Sequence, residues 1–189
     1  NLDSGAETQC VLNLSAPEGA SITFDNTDIK ATRTGKGIAQ IYFNEDYMDK
    51  PQSGDIIFRG ADSSSTFLAS NITLFNGRLE LNEGSSISLE KNFISYSTVE
   101  LFDGALLNSG VAVKFQGGEL NVYDSQLKAG TLSLENSSAC LEKARYEGTA
   151  KLTEKSSLTL LGSNLLRGMV HLNDSSMTIT GNDSGLTLS

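Results

Sequence analysis

Apolar and polar residues alternate in short segments along most of the chain. Triplets such as Leu-x-Leu, Ile-x-Leu and Met-x-Ile recur, and a period of two places successive side chains on opposite sides of a β-strand. Between these segments lie Asn-Gly, Asp-Gly and Asn-Asp pairs, which form turns because such residues tolerate positive φ angles. The pattern predicts many short strands, each with one apolar side, and almost no helix.

The same succession of residues recurs along the chain. The segments GTLSLENSSACL, GTAKLTEKSSLTL and GMVHLNDSSMTI begin at Gly130, Gly148 and Gly168. Each has a leucine four residues after the glycine, then a Ser-Ser pair and a further apolar segment. Weaker copies bring the starts to positions 54, 77, 97, 117, 130, 148, 168 and 185, so the spacing varies between 13 and 23 residues.

A repeat of this kind predicts a solenoid. One unit of two or three short strands cannot bury its apolar side alone, whereas parallel stacking of equivalent units buries a continuous column of Leu, Ile and Val. We therefore expect an all-β fold, a right-handed parallel β-helix (β-solenoid) that forms a single elongated domain, with the hand taken from the rule for parallel crossovers. The alternative is an antiparallel sandwich or barrel, which also alternates but does not require equivalent residues in successive turns.

The two ends of the chain differ in regularity. Residues 54–189 carry the regular repeats, whereas residues 1–53 fit them less well and are predicted to be irregular or capping rungs, with a polar insertion near residues 44–55. The first ten residues have neither the basic start nor the apolar run of a signal peptide. The sequence also does not begin with methionine, so we expect a processed chain or an excised fragment.

Composition narrows the classes of function. The 189 residues carry a formal net charge of -9, which disfavours nucleic acids as partners because binding them requires a basic face. No run of 18 apolar residues occurs, so no membrane-spanning helix is expected. The two cysteines, Cys10 and Cys140, are predicted to be unpaired thiols, since they lie far apart along an extended rod.

Two short motifs invite a catalytic interpretation that their surroundings do not favour. His171 is the one histidine, and it lies between Val170 and Leu172 in the outward register of a strand. A catalytic triad or a histidine metal site would have to use it, but we expect a solvent-facing side chain. The tripeptide at residues 26–28, Asn-Thr-Asp, also occurs in polysaccharide hydrolases with this fold. Their Asp-Asp pair and Gly-His-Gly are missing here, so a turn after a strand is expected.

Two further sets of residues are candidates for binding. Four carboxylates around the polar insertion could supply oxygen ligands to Ca²⁺, but their spacing matches no defined calcium loop and a solvated loop is expected; they are Glu45, Asp46, Asp49 and Asp55. Six aromatic residues could form an exposed contact patch, or could be core and stacking residues; they are Tyr42, Tyr47, Phe75, Tyr96, Phe102 and Tyr123. We predict no catalytic residue, no cofactor and no metal ligand.

The segment SGDIIFRGADSSSTFLASNITLFNGRLELNEGSSISLEKN resembles the passenger domains of bacterial autotransporters (type V secretion). These domains carry recurrent NG-x-L-x-L-x-x-G-S-x-[IL] units on a right-handed parallel β-helix, and the resemblance covers residues 54–189. Within this class the chain is similar to the polymorphic outer membrane proteins of chlamydiae. Their Gly-Gly-Ala-Ile and Phe-x-x-Asn tetrapeptides are not present, and DGAL at residues 103–106 only approaches the first of them.

The resemblance implies a non-catalytic stalk or adhesin segment of a secreted bacterial surface protein, exported across the outer membrane to the cell surface. Its role would be surface display and host or cell–cell contact, with a host-cell surface protein, a glycan or a second copy as partner. The membrane-embedded part of such a protein would lie elsewhere in the parent chain, so no membrane insertion is expected of this segment. The alternative is a carbohydrate-active β-helix enzyme, or a phage tailspike fragment that binds polysaccharide.

Overall fold

Parallel pairing between strands of successive turns runs through the chain. The structure is a computed structural model that describes residues 2–4, 9–33, 38–50, 52–60, 66–181 and 186–187. Within these residues it contains 22 short strands and a 3-10 turn at Glu45–Tyr47, without an α-helix. All strand pairs of the described part are parallel and join strands of neighbouring turns. The predicted fold class, a parallel β-solenoid, is confirmed, and the antiparallel alternative is wrong.

Each turn of the solenoid, called a rung here, contributes a strand to each of three faces. Face 1 is a sheet of eight strands that keep a constant register. Its first column of paired positions is Ser21, Asp55, Arg78, Thr98, Glu119, Ser138, Ser157 and Ser176. Its strands are β3 (Ser21–Asp25), β6 (Asp55–Arg59), β9 (Arg78–Asn82), β12 (Thr98–Leu101), β14 (Glu119–Tyr123), β16 (Ser138–Glu142), β18 (Ser157–Leu161) and β21 (Ser176–Thr180).

Faces 2 and 3 belong to one sheet of fourteen strands that bends between them. Three long strands, β13 (Leu106–Gln116), β15 (Gln126–Glu135) and β17 (Arg145–Thr153), cross this bend and contribute to both faces. Face 2 also contains β1 (Leu2–Ser4), β4 (Ile29–Arg33), β7 (Thr66–Ala69), β10 (Ser86–Leu89), β19 (Leu165–Arg167) and β22 (Leu186–Thr187). Face 3 also contains β2 (Gln9–Leu14), β5 (Ile38–Phe43), β8 (Asn71–Leu74), β11 (Asn92–Ser95) and β20 (Val170–Leu172).

The repeat starts predicted from the sequence mark two different corners of the solenoid. Gly77 and Gly117 lie in the turns from face 3 to face 1 (corner 3–1), whereas Gly130, Gly148 and Gly168 lie between faces 2 and 3 (corner 2–3). The interval of 13 residues from Gly117 to Gly130 is therefore part of one turn rather than a short repeat. Measured by register along face 1, successive rungs after Arg78 are spaced by 20, 21, 19, 19 and 19 residues.

The N-terminal strands join the same sheets as the later ones. Strand β3 pairs with β6, and β2 pairs with β5, which pairs in turn with β8. The polar insertion begins at Asn44, whose φ of 57° is left-handed, and continues into the 3-10 turn. The boundary proposed between residues 53 and 54 stays a prediction.

Columns of inward side chains fill the interior. Each fully buried aliphatic side chain contributes roughly 1.5–3 kcal/mol to the free energy of unfolding, and stacking in register lets every rung cover the next. The columns of face 1 are Ile56, Leu79, Val99, Leu120, Ala139, Leu158 and Phe58, Leu81, Leu101, Val122, Leu141, Leu160. Face 2 supplies Ile87, Leu107, Leu127, Tyr146, Leu166, and face 3 supplies Ile41, Ile72, Phe93, Val113, Leu132, Ala150.

The columns become exposed in the last rung. Leu172 in β20 and Ile179 in β21 occupy inward positions, yet they are 48% and 45% exposed. In the described part of the chain no strand pairs with the outer edge of β20 or β21. None of the described elements is a helix of the length and apolarity needed to cross a membrane.

Glycine is required at corner 2–3 because successive turns approach each other there. A Cβ atom on Gly148 would lie 1.8 Å from the carbonyl oxygen of Ala129, and one on Gly168 would lie 1.9 Å from that of Gly148. At Gly130 the corresponding distance, to the carbonyl oxygen of Val111, is 2.7 Å. This close approach explains why the three clearest copies of the repeat begin with glycine.

Ser137 and Ser156, the first serines of two of the Ser-Ser pairs, tie neighbouring rungs together at corner 3–1. The Ser137 hydroxyl accepts a hydrogen bond from the backbone N–H of Gly118 at 3.2 Å and donates one to the carbonyl of Glu135 at 2.7 Å. In the next rung the Ser156 hydroxyl accepts from the N–H of Ser137 at 3.1 Å. The recurrent serine thus pairs backbone groups that the turn removes from the sheet.

A buried tyrosine hydroxyl also pairs a backbone group that the sheet leaves without a partner. Tyr146 is 1% exposed, and its hydroxyl accepts a hydrogen bond from the backbone N–H of Leu132 at 3.1 Å. The bond lies where the pairing of β15 with β17 shifts in register, between Lys128 and Thr131. Burial raises the pKa of Tyr146 far above its usual value, so the phenol stays neutral.

We expect Tyr146→Phe to lower the free energy of unfolding by about 1–3 kcal/mol, because it leaves a buried N–H without a partner. Tyr123→Phe is the matched control, since that ring lies on the outer surface and is only half-buried. It should change stability by less than about 0.5 kcal/mol. Urea denaturation followed by circular dichroism measures both, and equal losses would contradict the assigned role of the Tyr146 hydroxyl.

We expect Gly130→Ala to destabilise the fold by about 1–3 kcal/mol, since the added methyl group meets a backbone carbonyl that cannot move freely. Gly104→Asn is the control, because Gly104 has a φ of 81° with nothing within 4 Å of its Cβ position, and asparagine tolerates that region. It should cost less than about 1 kcal/mol. If thermal unfolding shows the control to be the more damaging change, crowding is not what selects glycine at corner 2–3.

Candidate functional site

The two motifs that invited a catalytic interpretation lie in ordinary strand and turn positions. His171 is exposed on β20, where it pairs in register with Lys151. The residues 26–28 follow β3 as a turn in which Asn26 has a φ of 46°. Both placements match the structural expectation for these residues.

The carboxylates of the polar insertion do not converge on one point. Glu45 and Asp46 each accept a hydrogen bond from the Asn13 side-chain amide at 3.2 Å. Asp55 lies on β6 and binds Arg78 instead. Within the described ranges, no group of three or more histidine, cysteine, aspartate or glutamate side chains is arranged to hold a metal ion.

Two asparagine side chains fasten the insertion to the solenoid. The Asn44 amide is buried and donates to the carbonyls of Gly54 and Asn76, both at 2.9 Å. The Asn76 amide in turn donates to the carbonyls of Tyr47 at 3.1 Å and Lys50 at 2.7 Å. These bonds hold the insertion against the adjoining rung at corner 3–1.

An arginine joins three carboxylates on the outer side of face 1. The Arg78 guanidinium lies 2.8 Å from Asp55, 3.3 Å from Glu80 and 3.0 Å from Glu100. The hydrogen bond to Asp55 is the main cause that raises the pKa of Arg78 above its usual value. The Arg78 guanidinium therefore pairs with all three carboxylates and links β6, β9 and β12.

The six aromatic candidates form two outward stacks and one isolated position. Phe75 packs edge-on against Tyr42, with ring centroids 5.5 Å apart, and stacks on Tyr96 at 5.9 Å with an interplanar angle of 13°. This aromatic ladder follows the end of face 3 along three rungs, and Tyr96 is 45% exposed. A continuous patch is therefore not what these residues form.

The second stack lies at the opposite end of the face 1 strands. The rings of Phe102 and Tyr123 are 5.2 Å apart and nearly parallel, at 7°. Tyr47 lies by itself on the 3-10 turn of the insertion. The outward placement of all six favours contact or stacking roles over core roles.

A polar groove of about 480 Å³ runs along corner 3–1, beginning at the end of the aromatic ladder. It extends over four rungs, which is about 14 Å at the usual strand spacing. Tyr96 lies at one end and Lys155 at the other, with small residues between them. The groove is lined by Tyr96, Ser97, Thr98, Gly117, Gly118, Glu119, Asn136, Ser137, Ser138, Lys155 and Ser157.

Two consecutive glycines leave room for the groove. Gly117 has a φ of 74°, and an added Cβ there would find nothing within 4 Å. At Gly118 a Cβ would lie 2.5 Å from the carbonyl oxygen of Ser97, so the backbone of this rung lies directly against its neighbour. The groove exists because no side chain projects from this turn.

Several polar side chains that line the groove are unpaired among the described residues, unlike the carboxylates around Arg78. Within the described part of the chain, the side chains of Thr98, Glu119, Asn136, Ser138 and Lys155 make no hydrogen bond or ion pair. The acidic groups near Arg78, by contrast, are already paired. Side chains without protein partners are able to form hydrogen bonds with the polar groups of a ligand.

This groove is not predicted from the sequence, where Gly117 marks only the start of a repeat. Cys140, the thiol described in the structure, is unpaired as predicted and lies on the outer side of face 1, where burial raises its pKa. The Cys10 side chain lies outside the described residues.

We expect Arg78→Ala to lower the free energy of unfolding by about 1 kcal/mol, because three carboxylates on adjacent strands lose their shared cation and repel one another. Adding Glu100→Gln to this variant should restore part of the loss, since one of the repelling charges is removed. Denaturant titration at neutral pH compares the two, and a further loss in the double variant would contradict the network.

Comparison of the chain with family models, with curated proteins and with solved structures found no match.

Proposed function

We propose that this chain is a non-catalytic stalk or adhesin segment of a secreted bacterial surface protein, of the autotransporter passenger class. It displays an extended polar surface outside the cell and contacts host or neighbouring cells. The observation that carries the proposal is the solenoid itself, with eight strands stacked in face 1 over a length of about 34 Å. A rod with this construction extends by adding rungs and presents side chains at fixed intervals.

The outer surface supports a role in contact. The groove at corner 3–1 presents hydroxyl, amide, carboxylate and ammonium groups beside an exposed aromatic ring. Its floor is fixed to the adjoining rungs at Ser137, whose hydroxyl accepts a hydrogen bond from the backbone N–H of Gly118 and whose own backbone N–H donates to the Ser156 hydroxyl. A rigid surface loses little conformational entropy when a partner binds.

The enzymatic alternative has less support from the same geometry. Glycoside hydrolysis ordinarily uses two carboxyl groups on opposite sides of the scissile bond. Glu119 is the single carboxylate among the described residues that line the groove. Asp55, Glu80 and Glu100 of face 1 are paired with Arg78, so among the described residues the groove has no second carboxylate to act with Glu119.

We expect beads coated with the purified chain to capture cultured epithelial cells or bacterial cells more than albumin-coated beads do. The same chain should release no reducing ends from a panel of polysaccharides, because two convergent carboxylates are lacking. Flow cytometry measures capture, and a reducing-sugar assay measures hydrolysis. Sustained polysaccharide cleavage would contradict the proposal in favour of the carbohydrate-active alternative, and capture no greater than with albumin would contradict the contact role.

A further inference from the structure

We propose that the groove at corner 3–1 binds a glycan, with two or three consecutive sugar residues lying along it and one ring stacked on Tyr96. This inference rests on the proposed contact function and identifies the class of partner for that surface.

The aromatic ladder stops where the groove begins. Phe75 covers one side of the Tyr96 ring, and in the next rung the equivalent position belongs to Gln116. The Gln116 amide donates to Glu135 at 2.9 Å, so it is directed toward the following rung. Tyr96 and Gly117 both line the groove, and a Cβ atom on Gly117 would find nothing within 4 Å, so a ligand ring beside Tyr96 would lie next to Gly117.

A sugar ring suits that position. The C–H side of a pyranose is apolar and flat, and it packs on the electron-rich face of an aromatic ring, while its hydroxyl groups point outward. A ligand ring above Gly117 would continue the ladder by one step along the rod axis. Tyr96 would then supply the apolar contact of the site.

The remaining lining complements hydroxyl groups. Thr98 and Ser138 can both donate and accept, Asn136 supplies an amide, Glu119 accepts, and Lys155 donates. Each sugar hydroxyl also donates and accepts, so an unpaired lining of this mixed kind can satisfy several of them. A protein partner would require a buried apolar or aromatic centre, and Tyr96 is the one large apolar side chain among the described residues of the lining.

The volume and length of the groove suit an internal segment of a polysaccharide. A volume of about 480 Å³ falls within the usual range for ligand sites, 300–1,000 Å³. The groove is open along its length of about 14 Å, so a polymer can enter and leave at both ends. The floor is held by Ser137 and by the Ser97 hydroxyl, which donates to the carbonyl of Gly77, so it is ordered before a ligand arrives.

The test uses an array of immobilised oligosaccharides, neutral and acidic, probed with the fluorescently labelled purified chain. Tyr96→Ala removes the stacking ring, and Gly117→Asn fills the ligand position while keeping a residue that tolerates its left-handed φ. The controls are Tyr123→Ala, which removes an outward ring from the other stack, and Gly104→Asn, which makes the same change at an open left-handed glycine at the corner between faces 1 and 2. Thermal unfolding verifies that each variant is folded.

We expect the wild-type chain to bind at least one class of oligosaccharide on the array. Titration calorimetry with that oligosaccharide should give a Kd in the micromolar to millimolar range. Tyr96→Ala and Gly117→Asn should each weaken binding about tenfold or more, and the two controls should stay within about twofold of wild type. If Tyr96→Ala unfolds, Gly117→Asn decides the result, because its side chain enters open space.

Two outcomes would overturn the inference. If the labelled chain binds no oligosaccharide of the array even at millimolar concentration, while coated beads still capture cells, the glycan is rejected and the contact function stays in place. Retention that is equal in wild type and both groove variants would place the sugar elsewhere on the molecule. Retention that both groove variants abolish, accompanied by cleavage of the sugar, would support the site and reject the non-catalytic function.

Discussion

In-register stacking of each rung on the previous one is the interaction on which the whole structure depends. A single rung has three short strands and cannot exclude water from its apolar side, so its side chains are buried only when another rung covers them. The column from Ile56 to Leu158 is fully buried, whereas Leu172 and Ile179 in the last rung are about half exposed. The same constraint fixes the backbone at the corners, where Gly148 and Gly168 allow the chain to pass within contact distance of the rung below.

The sequence predicts the faces of this structure better than its corners. Alternation of apolar residues is a direct consequence of one-sided burial and predicts the strands, and the recurrence of equivalent residues favours a parallel solenoid over an antiparallel sandwich. The sequence does not predict which corner each repeat glycine occupies, because a glycine at corner 3–1 such as Gly77 and one at corner 2–3 such as Gly130 look alike in sequence. The Tyr146 hydroxyl bond is likewise invisible in sequence, since it depends on a register shift between two neighbouring strands.

The candidate site was harder to predict, and the reason is physical. The groove is open because the turn at Gly117 and Gly118 carries no side chain. Tyr96 and Lys155, at the two ends of the groove, lie on other rungs. The conspicuous carboxylates proved less informative, because Asp55 is paired with Arg78 while Glu45 and Asp46 accept bonds from Asn13. The partners of an outward residue in a solenoid can be assigned only when the strand register is known, since neighbours in space are about 20 residues apart in sequence.

Surface contact through the groove at corner 3–1 is the central functional claim, and backbone amide chemical shifts test it most directly. The chain has a mass of 20.1 kDa, which suits two-dimensional ¹H–¹⁵N NMR of a labelled sample titrated with a bound oligosaccharide. The account predicts that the amides of Gly117, Gly118 and Ser138 shift most and that those of the corner between faces 1 and 2, including Gly104, stay unchanged. Shifts concentrated on another face, or around Arg78, would contradict it.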